Sequence, residues 1–259
     1  MKHLIYTLIV NVVLLTTSTA HGTELRVAVA ANFAATLESL APDFSRTTGH
    51  SIRLSSGSSG MLYAQILNGA PFDVFLSADC ARPNRLVDQN RTVSGTRFTY
   101  AVGKLALWTP TQRHPDAAWL RRPAGRLALA NPELAPYGRA AADTLGALGV
   151  MNDWRDHLVL GNNVSQAMQF AVSGAVSGAF VSTSQLIAHK VPQGFWWQVP
   201  ERFHADIRQQ AVVLKAASDI DAAGAFLEFL KHPVTRSRIE TAGYQTRSYD
   251  RLAEVRCRR

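Results

Sequence analysis

Apolar positions along the chain follow two periods in turn. Short apolar runs read as buried strands, and after a small polar turn each gives way to apolar residues three and four apart, one stripe of a helix. Leu25-Arg26-Val27-Ala28-Val29-Ala30-Ala31 is the first run. Leu37, Leu40, Ala41 and Phe44 form the stripe that follows, closed by Gly49 just past the helix end. Residues 51–54 are a shorter strand. They lead through Ser55-Ser56-Gly57-Ser58-Ser59-Gly60 into a helix with Leu62 and Ile66 on one side, which Ser58 or Ser59 can cap. Residues 72–79 form a third strand and residues 86–93 a short connection, with Asp79 placed to cap the turn between them. Strand and helix alternating at this spacing predict parallel strands joined by crossover helices.

Residues 98–108 are long for a single buried strand and carry Gly103 in the middle, which suits a chain passing between two lobes. Beyond a polar, proline-containing stretch (109–123) the pattern resumes. Strands are expected at 126–130, 157–161 and 178–182, and helices at 139–148 and 164–172. Residues 195–203 read as an aromatic loop in which Trp196-Trp197 packs the lobe. A strand at 210–215 returns to the first lobe, and two helices, 219–230 and 234–242, follow on either side of Pro233. The second half echoes the first in architecture, with no residue-level repeat of useful length. The expected fold is α/β, with lobe 1 formed by 24–101 plus 210–259 and lobe 2 by 102–209.

At the start, Lys2 and His3 precede an apolar run, 4–15, and then Thr16-Thr17-Ser18-Thr19-Ala20. This is the layout of a cleaved secretory signal peptide over residues 1–20, and it is too short for a membrane span. The mature chain is expected to be soluble and exported. Hydrophobic residues make up 47% of the 259, enough for a substantial core. The formal charge of +8 would steer anions inward. Its Lys and Arg are scattered, so no nucleic-acid partner is expected. Cys80 and Cys257 could pair in an oxidising compartment, which the sequence leaves open. The cysteines and eight histidines show no metal-ligand spacing, and neither a metal nor a cofactor is expected.

The chemistry points to four turns at the carboxyl ends of strands, where open parallel sheets bind ligands. They are Ala31-Asn32-Phe33, Ser58-Ser59-Gly60, Pro136-Tyr137-Gly138 and Asn163-Val164-Ser165, and none contains a charged residue. Two turns from each lobe meeting in a cleft would offer main-chain N–H groups at helix starts, a serine hydroxyl, an asparagine amide and a tyrosine hydroxyl. Such a set suits a fully deprotonated oxyanion. Gly57-Ser58-Ser59-Gly60 lacks the spacing of a nucleophile elbow and no general base accompanies it, which argues against a secreted serine hydrolase. No enzyme activity is expected.

Val29-Ala30-Ala31-Asn32-Phe33, Ser55 through Ile66, and Asn68-Gly69-Ala70-Pro71-Phe72-Asp73-Val74-Phe75-Leu76-Ser77-Ala78-Asp79 resemble the periplasmic molybdate-binding component of ABC transporters. Residues 98–105, Asn131-Pro132, Ala135-Pro136-Tyr137-Gly138 and Gln209-Gln210-Ala211-Val212 extend the likeness over nearly the whole mature chain. The resemblance implies a two-lobed periplasmic binding protein of type II with two crossover strands. It implies molybdate or tungstate as the ligand, a membrane permease as partner and a monomer in the periplasm. Its ligand positions fall on Ala31, Asn32, Ser59, Tyr137 and Val164. Where a branch of the family can carry threonine, this chain has Ala31, which retains only a main-chain N–H. Where many members place a tyrosine, it has Ser182, which leaves Asn32 or Tyr137 to supply that donor. Sulfate has the same tetrahedral shape and charge; cavity radius separates the two.

Overall fold

Two five-stranded sheets share the chain between them. The computed structural model describes residues 22–246. The expected leader, residues 1–20, and the tail with Cys257 lie outside the described residues, as does any pairing of Cys257 with Cys80. Among the described residues no helix is long and apolar enough to cross a membrane.

The chain opens with β1 (Glu24–Ala30), α1 (Ala34–Thr48), β2 (Ser51–Gly57), α2 (Ser59–Leu67), β3 (Val74–Ser77), α3 (Ala81–Asp88) and β4 (Phe98–Gly103). Next come β5 (Leu105–Trp108), α4 (Ala117–Leu120), β6 (Leu127–Ala130), α5 (Pro136–Ala147), α6 (Met151–Trp154), β7 (Leu158–Gly161), α7 (Val164–Val172), β8 (Gly178–Ser182), α8 (Thr183–Ala188) and β9 (Trp196–Gln198). The chain then returns through β10 (Ile207–Val213) to α9 (Ile220–Lys231) and α10 (Pro233–Thr241). One sheet has the order β2-β1-β3-β10-β4 and the other β7-β6-β8-β5-β9. In each, the first three strands are parallel and the fourth, β10 or β5, runs antiparallel to them. The two sheets thus repeat one plan.

Several elements differ from the sequence reading. Residues 98–108 form two strands, not one. The chain leaves the first sheet at Gly103, and Lys104, whose carbonyl accepts from Thr183 N (3.0 Å), separates it from the second. The second strand runs on to Gly57, because Ser55 and Ser56 pair in register with Ala28 and Val29 of β1. As an edge strand, β2 tolerates polar residues. Helix α3 replaces the expected connection; Asp79 Oδ1 caps it by accepting from Arg82 N at 3.0 Å. Helix α5 starts at Pro136, a residue suited to a first turn where no N–H is needed. Within the expected aromatic loop, Trp196 and Trp197 pair with Trp108 and Leu107 to make β9. The chain passes between the sheets at 103–105 and again at 199–206.

The first sheet packs Phe33, Phe44, Leu37 and Leu40 from the α1 side against Phe226, Leu227, Leu230 and Ile239 of α9 and α10. The last two helices therefore pack on the first sheet. Trp154 anchors the second core with Leu127, Leu129 and Leu145, and its indole N–H donates to Leu120 O at 2.7 Å.

Candidate functional site

The four expected turns follow β1, β2, β6 and β7, equivalent places in the two sheets. Phe33 N donates to Ala30 O at 2.8 Å and folds the first turn back, leaving Ala31 and Asn32 at its apex. Ser59, Tyr137 and Val164 lie in the first turns of α2, α5 and α7, where main-chain N–H groups have no acceptor within the helix. Asn163 caps α7 by accepting from Gln166 N at 3.0 Å. Gly138 lets α5 start hard against β6, because a Cβ there would lie 2.0 Å from Ala130 O.

All five expected residues, Ala31, Asn32, Ser59, Tyr137 and Val164, line one small cavity between the sheets. No residue lining it carries a formal charge. The halves touch around it. Gly60 N donates to Leu134 O (2.8 Å), Arg82 Nη2 to Glu133 O (3.1 Å), and Ser184 Oγ to Asn32 O (3.3 Å). Ser59 is 1% exposed, and its Oγ accepts from Ala78 N at 2.9 Å. That bond uses one of the oxygen's two acceptor sites and leaves the hydroxyl proton free for an acceptor in the cavity.

Three expected donors need correction. Ala31 offers no N–H to the cavity, because that group donates to Gly57 O at 2.9 Å and ties the first two turns together. The Asn32 side chain faces the protein: Nδ2 donates to Gln209 Oε1 (2.8 Å) and Tyr244 Oη (3.2 Å). Tyr244 Oη in turn donates to Asn32 O at 2.7 Å and lies 2.8 Å from Ser184 Oγ. What Asn32 keeps for the cavity is its main-chain N–H, which has no acceptor among the described residues. The Tyr137 hydroxyl is buried beside Gly103 and the Gln209 amide without a well-formed hydrogen bond. Ser182 stays out of the cavity. Its side chain caps α8 in a reciprocal pair with Gln185.

The tyrosines are uncharged here. Burial pushes Tyr137 and Tyr100 well above the ordinary phenol value, and pushes Tyr244 up to about 12. Gln209, Tyr100 and Tyr244 were not among the residues expected at the site. Gln209 accepts from Asn32 Nδ2 and, at 3.0 Å, from Tyr100 Oη. Adjacent glutamines inside the wholly buried strand β10 were the available signal, since buried amides need partners. Tyr244 follows the last helix and carries no local signal. Among the described residues no cluster of His, Cys, Asp and Glu could hold a metal ion.

Residues 25–245 match the family of bacterial extracellular solute-binding proteins. Over 229 residues the chain is 42% identical to the molybdate-binding protein ModA of Azotobacter vinelandii, covering 87% of this chain and 91% of that one. The chain belongs to the ModA family of bacterial extracellular solute-binding proteins. This solute-binding protein is also 41% identical over 225 residues to ModA of Rhodobacter capsulatus, with 86% and 88% covered. Among solved structures, the periplasmic molybdate-binding protein of A. vinelandii superposes with a TM-score of 0.81 at 41% identity, over 85% of this chain and 98% of that one. The sulfate-binding protein SubI of Mycobacterium tuberculosis H37Rv reaches a TM-score of 0.71 at 16% identity, over 90% of each chain, a likeness of fold alone. The two-lobed, type II α/β architecture with two crossings is thus that of this solute-binding family.

Proposed function

We propose that this solute-binding protein captures molybdate as a bare tetrahedral dianion between its lobes and hands it to the membrane permease of an ABC transporter. The observation that carries the reading is the uncharged cavity, lined by Ser59, whose oxygen is held by Ala78 N and whose hydroxyl proton is free to donate. The N–H groups of Asn32, Ser59, Tyr137 and Val164, with the Ser59 hydroxyl, make five donors. Each bond to a charged acceptor contributes about 1.5–3 kcal/mol, against the roughly 8 kcal/mol that micromolar affinity needs and the cost of ordering. No ionised acceptor or base lines the cavity, so the protein acts as a carrier, not an enzyme. Tungstate shares the ligand's shape and charge and is expected to bind as well. The carrier works in the periplasm as a monomer, after loss of residues 1–20. Its lobes, 24–101 with the return segment and 102–209, rock about the two crossings.

A thermal-shift assay tests the reading. Molybdate at 100 times its dissociation constant should stabilise the folded chain by about 2.7 kcal/mol, a shift of several degrees, while equal sulfate does little. Equal shifts with both anions would overturn the selectivity, and no shift with molybdate would overturn the ligand.

A further inference from the structure

Gly103 sits where the chain leaves the first sheet. Its backbone is not in the left-handed region, so conformational freedom does not explain the glycine. Space does. A Cβ on Gly103 would lie 2.1 Å from Tyr137 Oη, 3.0 Å from Tyr137 Cζ and 2.7 Å from Gln209 Nε2. Tyr137 comes from α5 in the second lobe. Gly103 and Gln209 belong to β4 and β10 of the first, which pair beside the crossing with a register shift between Gln209 and Gln210. The phenol therefore bridges the lobes at the hinge. Its hydroxyl and the Gln209 Nε2 amide are buried beside each other in a geometry that gives neither a well-formed hydrogen bond, a cost that water would relieve once the lobes part.

We propose that Gly103 and Tyr137 form a closure socket: the Tyr137 ring seats on the bare Gly103 backbone only when the lobes come together, and seating it brings the Tyr137 main-chain N–H to the anion. Tyr137 then serves twice, through its N–H in the cavity and through its ring at the hinge, and Gly103 is a positioning residue that touches no ligand. The proposal rests on the molybdate reading above.

The test is calorimetric titration with sodium molybdate, paired with small-angle X-ray scattering to read compaction, on the parent, Gly103→Ala, Tyr137→Phe and the double variant. Gly103→Ala is expected to melt close to the parent without molybdate, because in the open form the methyl meets only the end of the Gln209 side chain, which can turn aside. It should bind about ten-fold or more weakly and compact less, since closing must displace backbone or ring. Adding Tyr137→Phe, which leaves Cζ at 3.0 Å in place of Oη at 2.1 Å as the nearest ring atom, should recover much of that loss. Tyr137→Phe alone should bind several-fold tighter than the parent, because closing no longer buries a poorly satisfied hydroxyl. Parent-like binding by Gly103→Ala, or a double variant no tighter than it, would overturn the socket. So would weaker binding by Tyr137→Phe, the result expected of a hydroxyl that contacts the anion. The Tyr137→Phe arm decides alone if Gly103→Ala does not fold. A parent that ignores molybdate would instead sink the ligand reading and is recognised by that control.

Discussion

Ser59→Ala is expected to weaken molybdate binding by about 10- to 150-fold, the equivalent of one hydrogen bond of 1.5–3 kcal/mol to a charged acceptor. The direction follows from the bond that Ser59 already makes. Ala78 N donates to its oxygen at 2.9 Å, which holds that oxygen at the cavity with its proton free to donate to the anion. The substitution also strands the buried Ala78 N–H, so the unliganded protein should lose a little stability as well. Calorimetry on Ser59→Ala, with thermal melting of the same sample without ligand, separates the two losses. An unchanged dissociation constant would remove Ser59 from the site. A melting point that falls with no change in affinity would reduce the residue to a brace for the β3 end.

The largest effect on folding is expected far from the cavity, at Asp73. Its side chain is fully buried and accepts from Arg26 N (2.6 Å), Ser218 N (2.8 Å) and Ser218 Oγ (3.0 Å), with Arg26 Nε at 3.5 Å. One carboxylate thereby pins the start of β1, its own position ahead of β3 and the connection from β10 to α9. Asp73→Ala leaves two main-chain N–H groups without their charged acceptor and opens a void. About 3–6 kcal/mol of unfolding free energy should be lost, from two charge-assisted bonds of 1.5–3 kcal/mol each. Urea denaturation of the unliganded protein measures it. A loss under 1 kcal/mol would mean that water takes the carboxylate's place and the pin is dispensable. Binding should suffer mainly through the smaller folded fraction, because Asp73 does not line the cavity.

Much of this was legible in the residues. The apolar runs that became β1, β6 and β8 have almost no polar members, and the stripes of α1 and α7 keep helical spacing, so periodicity placed them. The four turns were legible for a related reason. A small polar residue after a buried strand and ahead of a helix stripe leaves few other local structures. Charge-rich α3 was missed because it buries only Pro83 and Leu86, too little for a stripe. The break at Lys104 was hidden because residues on both sides are apolar, buried in two different sheets. Donor directions were the least legible. Asn32 looked like a ligand amide because its partners, Gln209 and Tyr244, lie 177 and 212 residues away, and no local pattern reports a contact of that range. Tyr137 misled in the same way: its place in the chain marks the cavity, while its hydroxyl answers to Gly103 and Gln209 at the hinge.

Crystals grown with molybdate, with data collected at the molybdenum absorption edge, test the central claim most directly. The account predicts one anomalous peak in the cavity between the lobes. The anion's oxygens should lie about 2.7–3.1 Å from the main-chain nitrogens of Asn32, Ser59, Tyr137 and Val164 and from Ser59 Oγ, with no cationic side chain in contact. A peak elsewhere, or an anion held by arginine or lysine, would contradict it.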